Sequence, residues 1–250
     1  MADRVLPGPL DGSVSANEAV CIHTRKIIDS CRDKDCIEDL RVFPFASSVP
    51  ALESACGIRP RSARILDVEV STEEIAFNRG YYTIDLTFYY EVTGETIPAN
   101  TTVQGIAVFS KRCMLYGGEG SAVVYTSNGE GASVSPIAAV EVVDPITLGT
   151  RLVDCACPTE AGCVTIPQEL LDTLPEPLQT GDLSRIWLAT LGQFSMLRLE
   201  RDTQLVIPMY DYCVPQKECI GADEDDPCTL FSRIDFPVNE FYPPSCGCDD

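Results

Sequence analysis

Along the middle of the chain apolar and polar side chains alternate one for one. In YYTIDLTFYYEVTG, Ile84, Leu86, Phe88, Tyr90 and Val92 alternate with Asp85, Thr87, Tyr89 and Glu91, the period of a strand with one buried face. ARILDVEVS, around 63–71, and TVQGIAVFSKRCMLY, 102–116, repeat the pattern. Further strands are expected at 137–143, 150–155, 185–200 and 203–213, each bounded by Gly, Pro or Asp. Asn128-Gly129, behind the AVVYTS run, has the composition of a tight turn. Some seven to nine strands with few helices predict a mainly β fold. The expected form is an antiparallel β-sandwich or barrel-like domain over 61–213.

The flanks carry a different pattern. Residues 1–16 form an arm bearing Pro7, Gly8 and Pro9, without a regular period. Asn17 followed by Glu18 has the form of an N-cap with an acidic first turn. Val20, Ile27 and Ile28, with Cys21 or Thr24 between them, then share one helical stripe, which predicts a helix over 18–30. A second short helix is expected from Asp35 to Leu40, ending before Pro44. The segment 17–60 is thus expected to be helix and loop, and 167–182 to be helical or loop-like, limited by Pro175 and Pro177. The tail, 214–250, combines Cys219, the acidic run Asp223-Glu224-Asp225-Asp226, Cys228, and then Phe231, Phe236, Phe241 and Tyr242 before SCGCDD. Those aromatics are expected to pack on this chain or on a neighbour.

Charge and composition remove many functions. With 18 basic and 38 acidic side chains the formal charge is −20, which repels a nucleic-acid backbone. The single histidine, His23, leaves no His-pair metal site and one possible base, set beside Arg25 and Lys26 on the expected helix. Abundant carboxylates make any one pair uninformative as an acid–base couple. There is no GxxxxGK[ST] loop. The runs Gly117-Gly118-Glu119-Gly120 and Gly129-Glu130-Gly131 place acid where a phosphate cradle needs none, so both read as turns. No catalytic set emerges, and the chain is not expected to be an enzyme. The opening lacks a charged leader with an apolar core, and no run approaches the ~18 apolar residues of a membrane span.

The 13 cysteines then carry the chemistry. Cys155-x-Cys157 with Cys163, and Cys246-x-Cys248, resemble fragments of a thiolate site, but neither supplies the four ligands zinc needs. Cysteines two apart in a strand are poorly placed to bond each other, so each is expected to find a separate partner. Disulfides are therefore preferred to metal. Cys31 and Cys36 flank RDKD at an expected helix–loop junction and could pair with each other or with Cys21, while Cys113 could be a buried thiol or a bonded one. Cys213, Cys219 and Cys228 complete the cross-link candidates. An odd total leaves one thiol free or bonded to another molecule, and Cys246 or Cys248, then Cys21, are the expected intermolecular positions. Asp29, Asp33 and Asp35, like the run 223–226, lack the calcium-loop spacing. Asn100-Thr101-Thr102 matches a glycosylation sequon. No cofactor is expected; zinc and calcium are the ions the residues leave open.

Several stretches together carry a resemblance: KIIDSCRDKDCIEDLRVF, FNRGYYTIDLTFYYEVT, GIAVFSKRCMLYGGEGSA, LGQFSMLRLERDTQLVIPMYDYCVPQKECIG and DDPCTLFSRIDFPVNEFYPP. In this order they resemble a group of clostridial cysteine-rich proteins linked to the outer spore layer (exosporium, coat or appendage). The resemblance implies a structural protein that self-assembles into a disulfide-stabilised array or filament. It also implies a spore-surface or extracellular location reached without a classical signal peptide. The partners implied are copies of the chain, with no nucleic acid and no membrane span. The sparse cysteines at 155–163 and the long amino-terminal arm depart from that group and leave sheet or fibre open. A soluble zinc- or ligand-binding β-domain with reduced thiols is the alternative.

Overall fold

The computed structural model describes residues 21–119, 123–124, 132–133, 135–154, 166–179, 181, 183–206, 236 and 241. In chain order the elements are β1 (Cys21–Pro44), a 3-10 turn (Ala46–Ser48), α1 (Val49–Ser54), β2 (Gly57–Glu74), β3 (Tyr81–Ile97) and β4 (Thr102–Tyr116). They continue with β5 (Val123–Val124), β6 (Ala132–Ser133), β7 (Ile137–Val142), β8 (Ile146–Asp154), α2 (Gln168–Thr173) and β9 (Arg185–Val206). β5 and β6 pair with each other, and the other seven strands make one sheet in the order β2-β3-β4-β1-β9-β7, with β8 also on β9. Every pairing is antiparallel.

The one-for-one alternation becomes β3 as expected. Its even positions Ile84, Leu86, Phe88, Tyr90 and Val92 are all within 1% of full burial. They pack with Trp187, Ala189, Leu191, Leu197 and Leu199 of β9 in one core. Each such large side chain contributes roughly 1.5–3 kcal/mol over leaving it in water. The strands expected at 185–200 and 203–213 merge, as far as they are described, into the single strand β9.

The helices expected over 18–30 and 35–40 are corrected: from Cys21 to Pro44 the chain is strand, so the described part of the segment 17–60 is not mainly helix and loop. β1 pairs with β9 from Cys21↔Val206 to Val42↔Trp187, with one extra β1 residue between Ile27 and Asp29 and another between Ile37 and Leu40. A backbone ladder of that length overrides weak local helix preference. The first bulge sets Asp29, Cys31, Asp33, Asp35 and Ile37 on the inward side. The second, where Asp39 takes φ 51, resets the alternation so that Val42 also points inward.

β1 meets β4 through only three ladder pairs, Val42↔Ala107, Phe43↔Ile106 and Pro44↔Gly105. Beyond them the two strands diverge, and side chains fill the space between. At the opposite seam, Ile65 N donates to Asp144 Oδ1 at 2.8 Å and Thr150 Oγ1 donates to the Ile58 carbonyl at 3.2 Å. These bonds bring the β2 edge against β8 and its leading turn. The sheet is thus nearly barrel-shaped, as the strand pattern predicted. On the outer face of β9, Phe194 is 3% exposed; Phe236 packs on it edge-to-face at 5.6 Å and stacks with Phe241 at 5.2 Å. No helix among the described residues is long and apolar enough to cross a membrane.

Candidate functional site

The gap between β4 and β1 holds the most unusual chemistry of the described residues. Ile84↔Cys113, Leu86↔Lys111 and Phe88↔Phe109 are cross-strand pairs, so Lys111 shares the inward face of β4 with Phe109, Cys113 and Leu115. Opposite it, Asp33↔Ser195 and Asp35↔Gln193 are pairs of the β1–β9 ladder. Lys111 Nζ donates to Asp33 Oδ2 at 2.7 Å, to Asp35 Oδ2 at 2.5 Å and to Ser195 Oγ at 3.2 Å. All three ammonium protons are therefore engaged. The Phe88 ring centroid lies 5.7 Å from the same nitrogen, within cation–π range. The side chains of Lys111, Asp33 and Asp35 are 11%, 15% and 19% exposed.

Two carboxylates facing one ammonium leave an excess of negative charge in a poorly hydrated place, so the cluster holds protons. Burial pushes the Asp35 carboxyl above its ordinary value; Lys111 opposes that rise and the Asp33 charge adds to it. Burial works to lower Lys111, but Asp35 and Asp33 together outweigh it and hold the ammonium above its usual range. Nearby, burial drives the Tyr90 hydroxyl far up, with the Asp35 charge adding to the rise. Tyr90 Oη and Gln193 Oε1 are buried without a hydrogen-bond partner among the described residues. Gln193 anchors its amide nitrogen on the carbonyls of Val143 and Phe194, at 2.9 and 2.7 Å.

The cysteines fall into four sets. Cys31 and Cys36 are disulfide-bonded. Five residues apart on one strand they face opposite sides and stand roughly 16 Å from each other at the usual rise per residue. They therefore cannot bond each other, which corrects that option; the helix–loop junction expected around them is strand. Cys56 and Cys113 are free thiols, the first exposed and the second half-buried. Burial pushes the Cys113 thiol up, with Lys111 opposing, so it is an inert thiol rather than a nucleophile. Cys21 begins β1. Cys155, Cys157, Cys163, Cys213, Cys219, Cys228, Cys246 and Cys248 lie outside the described residues, as do the arm 1–16, Asn128-Gly129 and the acidic run 223–226.

Other expectations meet the geometry as follows. His23 is an exposed strand residue opposite Gln204, not a helical one. Asp33 and Asp35, weighed as calcium ligands, clasp an ammonium, while Asp29 accepts the backbone N–H of Tyr116 at 3.1 Å. No group of three or more His, Cys, Asp or Glu among the described residues is arranged to hold a metal. Sequence reasoning passed over Lys111, Gln193, Ser195 and Tyr90. Their signal was parity: each polar group stands at the inward position of an otherwise apolar alternation.

These features define an antiparallel, nearly barrel-shaped β-domain with a charged cluster between its layers and cysteine bonds on both faces of one strand. No protein-family model matches the chain, and no curated protein or solved structure matches it.

Proposed function

We propose that this chain is a structural building block that associates with copies of itself and locks the contacts with disulfides, in keeping with the spore-surface resemblance of its sequence. Cysteine parity carries the reading. Setting the free thiols Cys56 and Cys113 apart from the 13 cysteines leaves eleven. Eleven cannot all pair within one chain, although Cys31 and Cys36 are already oxidised. At least one remaining cysteine is thus a further free thiol or bonded to another molecule, and the proposal takes the second.

Exposed apolar groups support the same reading. Phe77 is 94% exposed in the turn between β2 and β3. On the outer face of the adjoining hairpin Tyr81 and Tyr116 pack edge-to-face at 5.2 Å, with Met114 57% exposed beside them. Such a patch is what a second copy would cover. The charge of −20 opposes association, so salt should promote it by screening.

Electrophoresis of assembled material with and without reductant, beside zinc analysis, tests the proposal. A ladder of covalent multimers that collapses on reduction is the expected result. Monomer in both lanes with stoichiometric zinc would sink it and favour the zinc-binding alternative.

A further inference from the structure

We propose that the chain also cross-links itself by an amide bond between Lys111 Nζ and Asp35 Cγ, formed without any cofactor and with Asp33 as the proton carrier. The inference stands apart from self-assembly, because the reacting groups all belong to one chain.

Geometry carries it. Lys111 Nζ lies 2.5 Å from Asp35 Oδ2 and 2.7 Å from Asp33 Oδ2. An amine hydrogen-bonded at that range to a carboxyl oxygen stands roughly 3–3.5 Å from the carboxyl carbon, a near-attack distance. The groups are held by two ladders: Lys111 by the β3–β4 ladder, and Asp33 and Asp35 opposite Ser195 and Gln193 in the β1–β9 ladder. Rigid placement of this kind supplies much of the advantage of an intramolecular reaction.

Burial raises the cost of the cluster's charges, and Asp33 is placed to take a proton from an ammonium that the two carboxylates otherwise hold charged. In water an ammonium and a carboxylate are stable as ions and do not condense. Here the Lys111 side chain and both flanking carboxyls are largely shielded from solvent. Desolvation penalises the charged pair relative to amine and acid. Burial holding Asp35 toward its protonated form is consistent with its role as the electrophile. The Tyr90 hydroxyl, buried without a partner among the described residues and sensitive to the Asp35 charge, is a donor suited to the developing oxyanion.

The step balances. The Asp33 carboxylate takes one proton from the Lys111 ammonium. The freed amine attacks Cγ of the protonated Asp35 carboxyl, the C–N bond forms and the C–OH bond breaks. The hydroxyl leaves as water with a second Lys111 proton. The third remains on the amide nitrogen, and Asp33 ends protonated. Nothing is oxidised or reduced.

The bond would sit where β1 and β4 part. β1 and β4 share three ladder pairs, at 42–44 and 105–107, and residues 35 and 111 face each other beyond them. A covalent bridge there would tie the two layers independently of thiol redox state.

Intact-mass spectrometry of the full-length chain, fully reduced, alkylated and denatured, tests the proposal. The expected result is the loss of one water relative to the sequence mass. Fragmentation should show a branched peptide joining the segment with Lys111 to the segment with Asp35. Lys111→Arg keeps the positive charge and its carboxylate partners but cannot form this amide, so it should fold and show the full mass. Lys111→Met serves as a second variant if the first is poorly soluble. An unshifted wild-type mass overturns the proposal, as does a water loss that persists in Lys111→Arg. A branch located at Asp33 would overturn the assignment of electrophile and proton carrier.

Discussion

Replacing Gly105 with alanine probes the corner that joins β1 to β4. A Cβ built at Gly105 would stand 2.5 Å from the Phe43 carbonyl oxygen and 2.9 Å from the Phe43 carbonyl carbon and the Pro44 Cα. Real Cβ contacts essentially never fall below 3.0 Å, so backbone must retreat by at least about half an ångström rather than a side-chain end swinging aside. The retreat falls on Pro44↔Gly105, one of only three ladder pairs between these strands, and strains the neighbouring bond from Phe45 N to the Gln104 carbonyl at 3.0 Å. Overpacking of this kind costs roughly 1–3 kcal/mol. Loosening one or two ladder bonds adds about 0.5–1.5 kcal/mol each. The expected loss is therefore about 2–5 kcal/mol, or a fall in Tm on the order of 10 °C for a chain of this size. Thermal unfolding followed by circular dichroism, with disulfides intact, reads it. Gly149→Ala is the internal control, since no atom lies within 4 Å of its built Cβ. It should leave Tm unchanged or raise it slightly, because alanine restricts the unfolded chain. If Gly105→Ala melts with the wild type, the corner is not a close backbone contact and the reasoning fails.

Other outcomes can be checked in the same material. Tyr89 donates its hydroxyl to Glu69 Oε2 at 3.0 Å, and burial, then that bond, then the Glu69 charge push its pKa up to about 12 from 10.0. The folded state therefore holds a proton that the unfolded chain releases first, so stability from this group is complete below pH 10.0 and is lost as pH rises toward about 12. Ultraviolet titration should show a late component, at about 12, whose midpoint falls, without reaching the ordinary value, in Glu69→Gln; a midpoint unmoved by that change refutes the assignment. Native iodoacetamide labelling read by peptide mass should modify exposed Cys56 well before half-buried Cys113, whose thiol burial holds protonated; the reverse order would count against both placements. Trp187, the sole tryptophan, is 2% exposed. Its emission should be blue-shifted and poorly quenched by acrylamide, and Trp187→Ala should cost roughly 3–5 kcal/mol in a denaturant titration; free quenching in the native state would contradict its burial.

Much of the fold was legible where side chains obey a single period. The alternation of β3 survives because its inward residues from Tyr82 to Val92 are large and apolar, and α2 lies within the stretch expected to be helical or loop-like. β1 was misread for a physical reason. Its inward row contains Asp29, Asp33 and Asp35 among Cys31 and Ile37, so no apolar period of two is visible, while Ile27 and Ile28 sit together and imitate a helical stripe. The bulge at Ile28 puts those neighbours side by side without any helix. The charged cluster was illegible for a related reason. Lys111 makes sense inside the protein only beside Asp33 and Asp35, 76 to 78 residues away. That meeting depends on β9 pairing with β1, which no local pattern announces.

The position of β9 also bears on how the chain is made. β2, β3 and β4 are consecutive neighbours and can zip into a meander as they emerge. β1 leaves the ribosome before all of them, yet its long partner ends at residue 206. β1 can meet β4 early through residues 42–44, but its other backbone edge waits through some 140 residues of translation, from the end of β1 to the start of β9 at Arg185. A chain interrupted before that point would present an open strand edge. Completion of β9 is therefore a timing gate: it converts a nascent chain with an open strand edge into a closed unit.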